Sequence, residues 1–217
     1  MELSNFNKEI WDYIEASITP EDNVLAALSR YTHLKIVHPR MLCGPVQGKL
    51  IEFISRMIRP NYILEIGTYT GYSAICLARG LNEGGHLITI EINDELASVS
   101  EKFFYEAGLK GKIRLISSNA LKILPGLEPG IDLVYMDGEK EQYSEYFKLV
   151  FPKVKAGGFI LVDNTLWDGK VAFEKEFNDP ASKALRAFNK EIRENQKVSN
   201  LILPLRDGLS IIRKICD

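Results

Sequence analysis

The chain has 217 residues, 46% of them hydrophobic and 26% charged, enough apolar material for one globular domain with its own core. A net charge of −2 excludes a strongly basic nucleic-acid binder, and no apolar run approaches the ~18 residues of a membrane span. Three cysteines, Cys43, Cys76 and Cys216, contain no CxxC, which argues against a disulfide framework or thiolate zinc and fits a reducing cytoplasm.

The opening MELSNFNKEIWDY is acidic and amphipathic and lacks the basic end and apolar stretch of a signal peptide. Apolar stripes then predict helices: Ile10, Tyr13 and Ile14 in one, Val24, Leu25 and Leu28 in a second, and Leu50, Ile51, Ile54 and Ile58 in a third over 45–58. YTHLKIVHPRMLCGP, between the second and third, reads as an ordered loop. Residues 1–58 are thus a helical cap on a core of 59–217, within a single domain. From residue 61 short apolar runs alternate with amphipathic ones. Strands are predicted at 62–66, 87–91, 113–117, 131–136 and 159–162. Helices are predicted at 73–79, 94–107 and 142–151, with a short turn near Leu121. That alternation implies right-handed βαβ units, a parallel sheet and helices on both faces. After a helix over 182–195, strands 198–203 and 209–214 are joined by PLRDGLS. This connection is too short for a crossover, so Asp207-Gly208 predicts a hairpin and an antiparallel last strand.

Every one of the first five strands places polar residues at its carboxyl end: Gly67, Glu91, Ser118-Asn119-Ala120, Asp137 and Asp163-Asn164. In an open parallel sheet these ends form the ligand rim. The first loop, LEIGTYTGYSA, has the spacing GxxxG and not GxGxxG, and it lacks a Lys or Arg to meet a pyrophosphate. Glu91 stands where an acid accepts both ribose hydroxyls. A nucleoside without phosphates therefore fits, S-adenosylmethionine first, with Glu65 able to help hold its ammonium. Asp137, Asp163 and Asn164 offer oxygen only, the chemistry of a hard divalent cation: Mg²⁺ first, then Mn²⁺ or Ca²⁺. Either acid alone is a turn former; the pair at neighbouring strand ends points to the metal. Lys140 follows three residues after Asp137. A lysine beside a cation can serve as a base, although the usual lysine in a loop is simply solvated.

LEIGTYTGYSA, ITIEIN, YMDGEKEQY, GGFILVDNTLWDGKV and LPLRDGLSIIRK together resemble the cation-dependent class I O-methyltransferases, the group of the catechol and caffeoyl-coenzyme A enzymes, over roughly residues 36–215. The resemblance implies a Rossmann-like α/β fold, a doubly wound seven-stranded sheet whose last strand is antiparallel. It implies S-adenosylmethionine over Gly67, with Glu65 and Ser73 near its methionine part, Glu91 on the ribose, Asn119 and Ala120 near adenine, and Cys43 packed on the cofactor. Asp137 joins that contact set as well as the metal set of Asp137, Asp163 and Asn164, and Lys140 is the base. Two positions depart from the family. Ser118 stands where many members have glycine, and Gly138-Glu139 replaces a bulkier pair of the catechol enzyme, so acceptor identity does not transfer. The expected acceptor is a small phenol with a vicinal hydroxyl, and relatives are often homodimers. Rival readings are a tRNA hydroxyuridine methyltransferase, an NAD-type oxidoreductase and a non-catalytic nucleoside-binding protein.

Overall fold

The computed structural model describes residues 8–216. Its elements in chain order are α1 (Lys8–Ser17), α2 (Asn23–Lys35), α3 (Gly44–Ile58), β1 (Tyr62–Ile66), α4 (Tyr72–Ala78), β2 (His86–Glu91), α5 (Ala97–Glu106), β3 (Ile113–Ser117), α6 (Ala120–Ile123), β4 (Ile131–Met136), α7 (Tyr143–Val150), β5 (Val154–Val162), α8 (Pro180–Glu194), β6 (Val198–Leu203) and β7 (Leu209–Lys214). The strands form one seven-stranded sheet in the order β3-β2-β1-β4-β5-β7-β6. The order reverses between β1 and β4, the kind of switch at which such sheets bind ligands. Pairs β2–β3 and β4–β5 are parallel, whereas β7 runs antiparallel to both β5 and β6. The hairpin expected from Asp207-Gly208 is present, with Gly208 at φ +87°.

Residues divide into two compact units, one of 8–63 with 67–118 and one of 64–66 with 119–216. In the first, Asp22 caps α2 by accepting the amides of Val24 and Leu25, and Leu25, Leu28 and Thr32 form its buried stripe. In the second, Asp179 caps α8 with Pro180 at its first position, and Leu185, Phe188 and Ile192 are buried. Strands β1 and β4 are almost wholly buried, as central parallel strands should be.

Three expectations on the elements need correction. Residues 31–35 are not loop but the last turn of α2. The buried residue there is Thr32, whose hydroxyl lies 2.9 Å from the Leu28 carbonyl and 3.1 Å from the Thr70 hydroxyl; a polar residue hid the continuing stripe. Strand β5 begins at Val154, not at 159. Gly157 sits at φ +84° beside a register irregularity, and the strand continues through it. The predicted helix 94–107 starts as a 3₁₀ turn over Asp94–Leu96, with Asn93 as its cap.

Candidate active site

In the unit of 8–63 and 67–118 the glycine turn is pinned at both ends. Gly67 takes φ +95° and donates to the Ile90 carbonyl at 2.9 Å. Thr68 and Thr89 join hydroxyls across the turn. Tyr69 is left-handed at φ +50°. Its amide donates to Glu91 Oε2 at 2.7 Å, and its carbonyl accepts from Ser100 at 3.0 Å. Glu91 Oε1 accepts the Asn93 amide at 3.0 Å. A carboxylate has about four acceptor positions, so two amides orient Glu91 and leave lone pairs for a diol. Ser73 is buried in the first turn of α4, and Cys43 is buried just before α3. The Tyr69 hydroxyl lies within 3.2 Å of the carbonyls of Val37 and His38, which ties the α2–α3 connection to the turn.

Gly71, at φ +93°, would bring a Cβ within 2.6 Å of Phe104 Cε1. Forcing an L-residue into that backbone costs about 1–2 kcal/mol before the clash is counted. Gly71→Ala is therefore expected to lose about 2 kcal/mol or more in denaturant unfolding.

In the unit of 64–66 and 119–216, β4 and β5 run in parallel with Met136 opposite Val162. The next residues, Asp137 and Asp163, leave the two strands in step, and the Asp163 amide donates to the Met136 carbonyl at 3.0 Å. Asp163 is buried. Its Oδ2 accepts the Tyr135 hydroxyl at 2.9 Å, its Oδ1 the Asn164 amide at 2.8 Å, and its carbonyl the Tyr143 hydroxyl at 3.0 Å. Tyr143 is held well above the usual phenol pKa by burial and by the charges of Asp137 and Asp163, so it stays a neutral donor. Lys140 donates to Asp137 Oδ1 at 2.8 Å and to the Gly138 carbonyl at 3.0 Å, with its ammonium 5.3 Å from the Tyr143 ring centre. Glu65 is fully buried in β1.

Asn164 is left-handed at φ +60°, followed by Trp167 at +50° and Asp168 at +54°. Non-glycine residues held there mark an over-determined segment. The hairpin supplies the constraint: the Asp207 carbonyl accepts the amides of Leu166 and Trp167, and Gly208 accepts that of Thr165. A Cβ on Gly208 would meet Leu166 at 2.4 Å. The Asn164 side chain donates from Nδ2 to the Asp207 carboxylate at 3.5 Å.

Asp137 is raised to about 6. Removal from water is the main cause and the charge of Asp163 adds to it, while Lys140 and Arg206 pull the other way. A carboxyl raised from 3.8 binds its proton more tightly folded than unfolded. Its ionisation therefore costs stability as pH rises between those two values. In chelator-treated protein, Asp137→Asn should be the more stable form above pH ~6, the gap closing towards pH ~4; thermal midpoints across that window check it.

Among the described residues no three His, Cys, Asp or Glu side chains gather as a ready-made cation cage. The set in hand is two carboxylates and an amide oxygen. Two acids in step, one of them raised towards neutrality, fit a hard cation that keeps part of its water shell.

The sequence-predicted residues thus fall into two groups: Gly67, Ser73, Glu91 and Cys43 in one unit, and Glu65, Asp137, Lys140, Asp163 and Asn164 in the other, with Asn119 and Ala120. Asn119 has a structural task besides any adenine contact: its Oδ1 caps α6 through the Leu121 amide at 2.8 Å. Tyr69, Tyr135, Tyr143 and Asp207 escaped the sequence reading. The Asp207-Gly208 turn was visible as a hairpin, and Tyr69 lies inside the glycine loop, but nothing in the linear sequence aims them at Glu91, Asp163 or Asn164.

The O-methyltransferase family model matches residues 14–215. A catechol O-methyltransferase of Niastella koreensis is 32% identical over 208 residues, 92% of this chain and 93% of that protein. A probable caffeoyl-CoA O-methyltransferase of Arabidopsis thaliana is 32% identical over 224 residues, 96% of this chain and 95% of that protein. The crystal structure of the O-methyltransferase TomG of Streptomyces achromogenes, in complex with SAM, matches with a TM-score of 0.88, 28% identity and full coverage of both chains. Agreement over nearly the whole length sets aside the NAD-type oxidoreductase: this chain belongs to the O-methyltransferase family.

Proposed function

We propose that the protein transfers the methyl group of S-adenosylmethionine to a hydroxyl of a small catechol-like phenol, with a divalent cation held by Asp137, Asp163 and Asn164. The observation that carries this reading is the pair of carboxylates leaving β4 and β5 in step, with Lys140 on the first of them. The catechol O-methyltransferase relative and the SAM complex of TomG support the acceptor class and the donor.

Glu91, oriented by two backbone amides, takes the ribose diol of the donor. Gly67, Ser73, Cys43, Asn119 and Ala120 border the rest of that ligand, and Glu65 places negative charge for its ammonium. When bound, the cation supplies charge that binds vicinal oxygens and lowers the pKa of the reacting hydroxyl. Tyr135 and the Asn164 amide fix the Asp163 carboxylate in one orientation. Lys140 donates as an ammonium to Asp137 and the Gly138 carbonyl; having released that proton to solvent, it is placed to accept the hydroxyl proton at Nζ. Holding donor and acceptor in line then provides most of the rate. Phe53 and Met57, exposed on α3, are the apolar surface a homodimer would cover.

Incubating the protein with labelled S-adenosylmethionine and catechol, with and without chelator, tests the reading. Transfer that stops in chelator and returns with Mg²⁺ supports it; transfer unchanged in chelator removes the cation, and labelling of hydroxylated tRNA in place of catechol replaces the acceptor.

A further inference from the structure

A groove of about 790 Å³ lies within the unit of 8–63 and 67–118, between α5 and the segment that enters β3. None of its lining residues belongs to the site proposed above. Lys102 and Tyr105 stand one turn apart on α5 and form one wall. Lys110, Lys112 and Arg114 come from the other, alternating along the chain as it extends into β3. The register places Arg114 beside Ile88, and β3 is the last strand on its side of the sheet.

The groove brings four cationic side chains together with one acid, Glu101, in a chain whose net charge is −2. Lys102 has a loose pair with Glu106 at 3.8 Å, exposed on both sides, and its ammonium lies 5.2 Å from the Phe103 ring centre and 5.7 Å from that of Tyr31, so it contributes least to the groove. Lys110, Lys112 and Arg114 have no ion pair among the described residues. Tyr105 is 69% exposed, with the Lys110 ammonium 5.8 Å from its ring centre. Charges on an edge strand also deter pairing with other chains. That function accounts for Lys112 and Arg114, but not for Lys110, which lies before the strand, or for the exposed Tyr105 ring beside it.

We propose that this groove is a second ligand site, for a nucleoside di- or triphosphate. The volume suits a mononucleotide. Lys110, Lys112 and Arg114, spaced along one wall, suit consecutive phosphates, which Arg114 can bind in fork geometry. Tyr105 offers a face on which a base can stack.

The test is calorimetric titration of ADP into the full chain saturated with S-adenosylhomocysteine, so that the adenosine half of ADP finds no room in the proposed donor site. One ADP should bind per chain, and adenosine alone should give no measurable heat. The doubly charge-reversed variant Lys112→Glu with Arg114→Glu should weaken ADP by about tenfold or more. Its thermal midpoint reports folding, and should it not fold, Lys110→Ala and Tyr105→Ala carry the test with losses of several-fold each. Absence of binding at millimolar ADP, or equal binding by wild type and folded variants, would overturn the proposal. A short single-stranded RNA that bound far more tightly than ADP would also overturn it, in favour of a nucleic-acid surface. If S-adenosylhomocysteine itself fails to bind, the donor-site reading falls, while the charge variants still report on the groove.

Discussion

Asp163→Ala is expected to abolish methyl transfer, by at least about a thousandfold, while leaving S-adenosylmethionine affinity within a few-fold of wild type. The carboxylate is one of two that can hold the cation, and Glu91, the group proposed for the ribose, lies on a different strand. The substitution also removes an acceptor from the buried Tyr135 hydroxyl and from the part-buried Asn164 backbone amide. A buried donor that loses its acceptor costs up to about 1–3 kcal/mol, so the variant should unfold earlier. Asp163→Asn separates the effects. It keeps the side-chain volume and one acceptor, so stability should largely return and turnover should not. Turnover that recovered with stability would mean that Asp163 serves the fold and not the chemistry.

The second large effect is expected at Lys140. Lys140→Met should lower kcat by about a hundredfold or more, the usual contribution of a positioned base, with the acceptor KM little changed. Its effect on the cation should have the opposite sign to that of Asp163→Ala. The Lys140 ammonium occupies Asp137 Oδ1 at 2.8 Å, so removing it frees that oxygen and divalent-cation affinity should rise or stay level. Residual activity of the variant should climb with pH, as hydroxide in solution takes over the proton. Calorimetric titration of Mn²⁺ beside a pH–rate profile reads both signatures. A variant that lost cation affinity and catalysis together would make Lys140 a support of the metal site and not a base.

How far the sequence carries such arguments depends on the kind of residue. The sheet was legible because its strands are apolar runs ended by polar residues, and the antiparallel end was legible because Asp207-Gly208 leaves no room for a crossover. The acidic pair was legible for the same reason: parallel strands put equivalent ends side by side, and Met136 opposite Val162 delivers Asp137 and Asp163 together. What stayed hidden depends on contacts between distant segments. Thr32 extends α2 because its hydroxyl finds partners at Leu28 and Thr70; on paper it is a polar residue in a loop. The start of β5 stayed hidden because a glycine inside a bent strand, as Gly157 is, and a glycine before a strand look alike in sequence. Tyr135 alternates with apolar neighbours in a buried strand, and nothing local says that its hydroxyl ends on Asp163. The left-handed Asn164, Trp167 and Asp168 were equally silent, since the hairpin that holds their segment lies some forty residues further on.

The most direct test of the whole account is a crystal structure grown with Mn²⁺ and S-adenosylhomocysteine, with data collected for the anomalous signal of manganese. The account predicts one strong peak within coordinating distance of the side-chain oxygens of Asp137, Asp163 and Asn164, with Lys140 withdrawn from Asp137. Ordered product without a peak there, or a peak held by other residues, would contradict it.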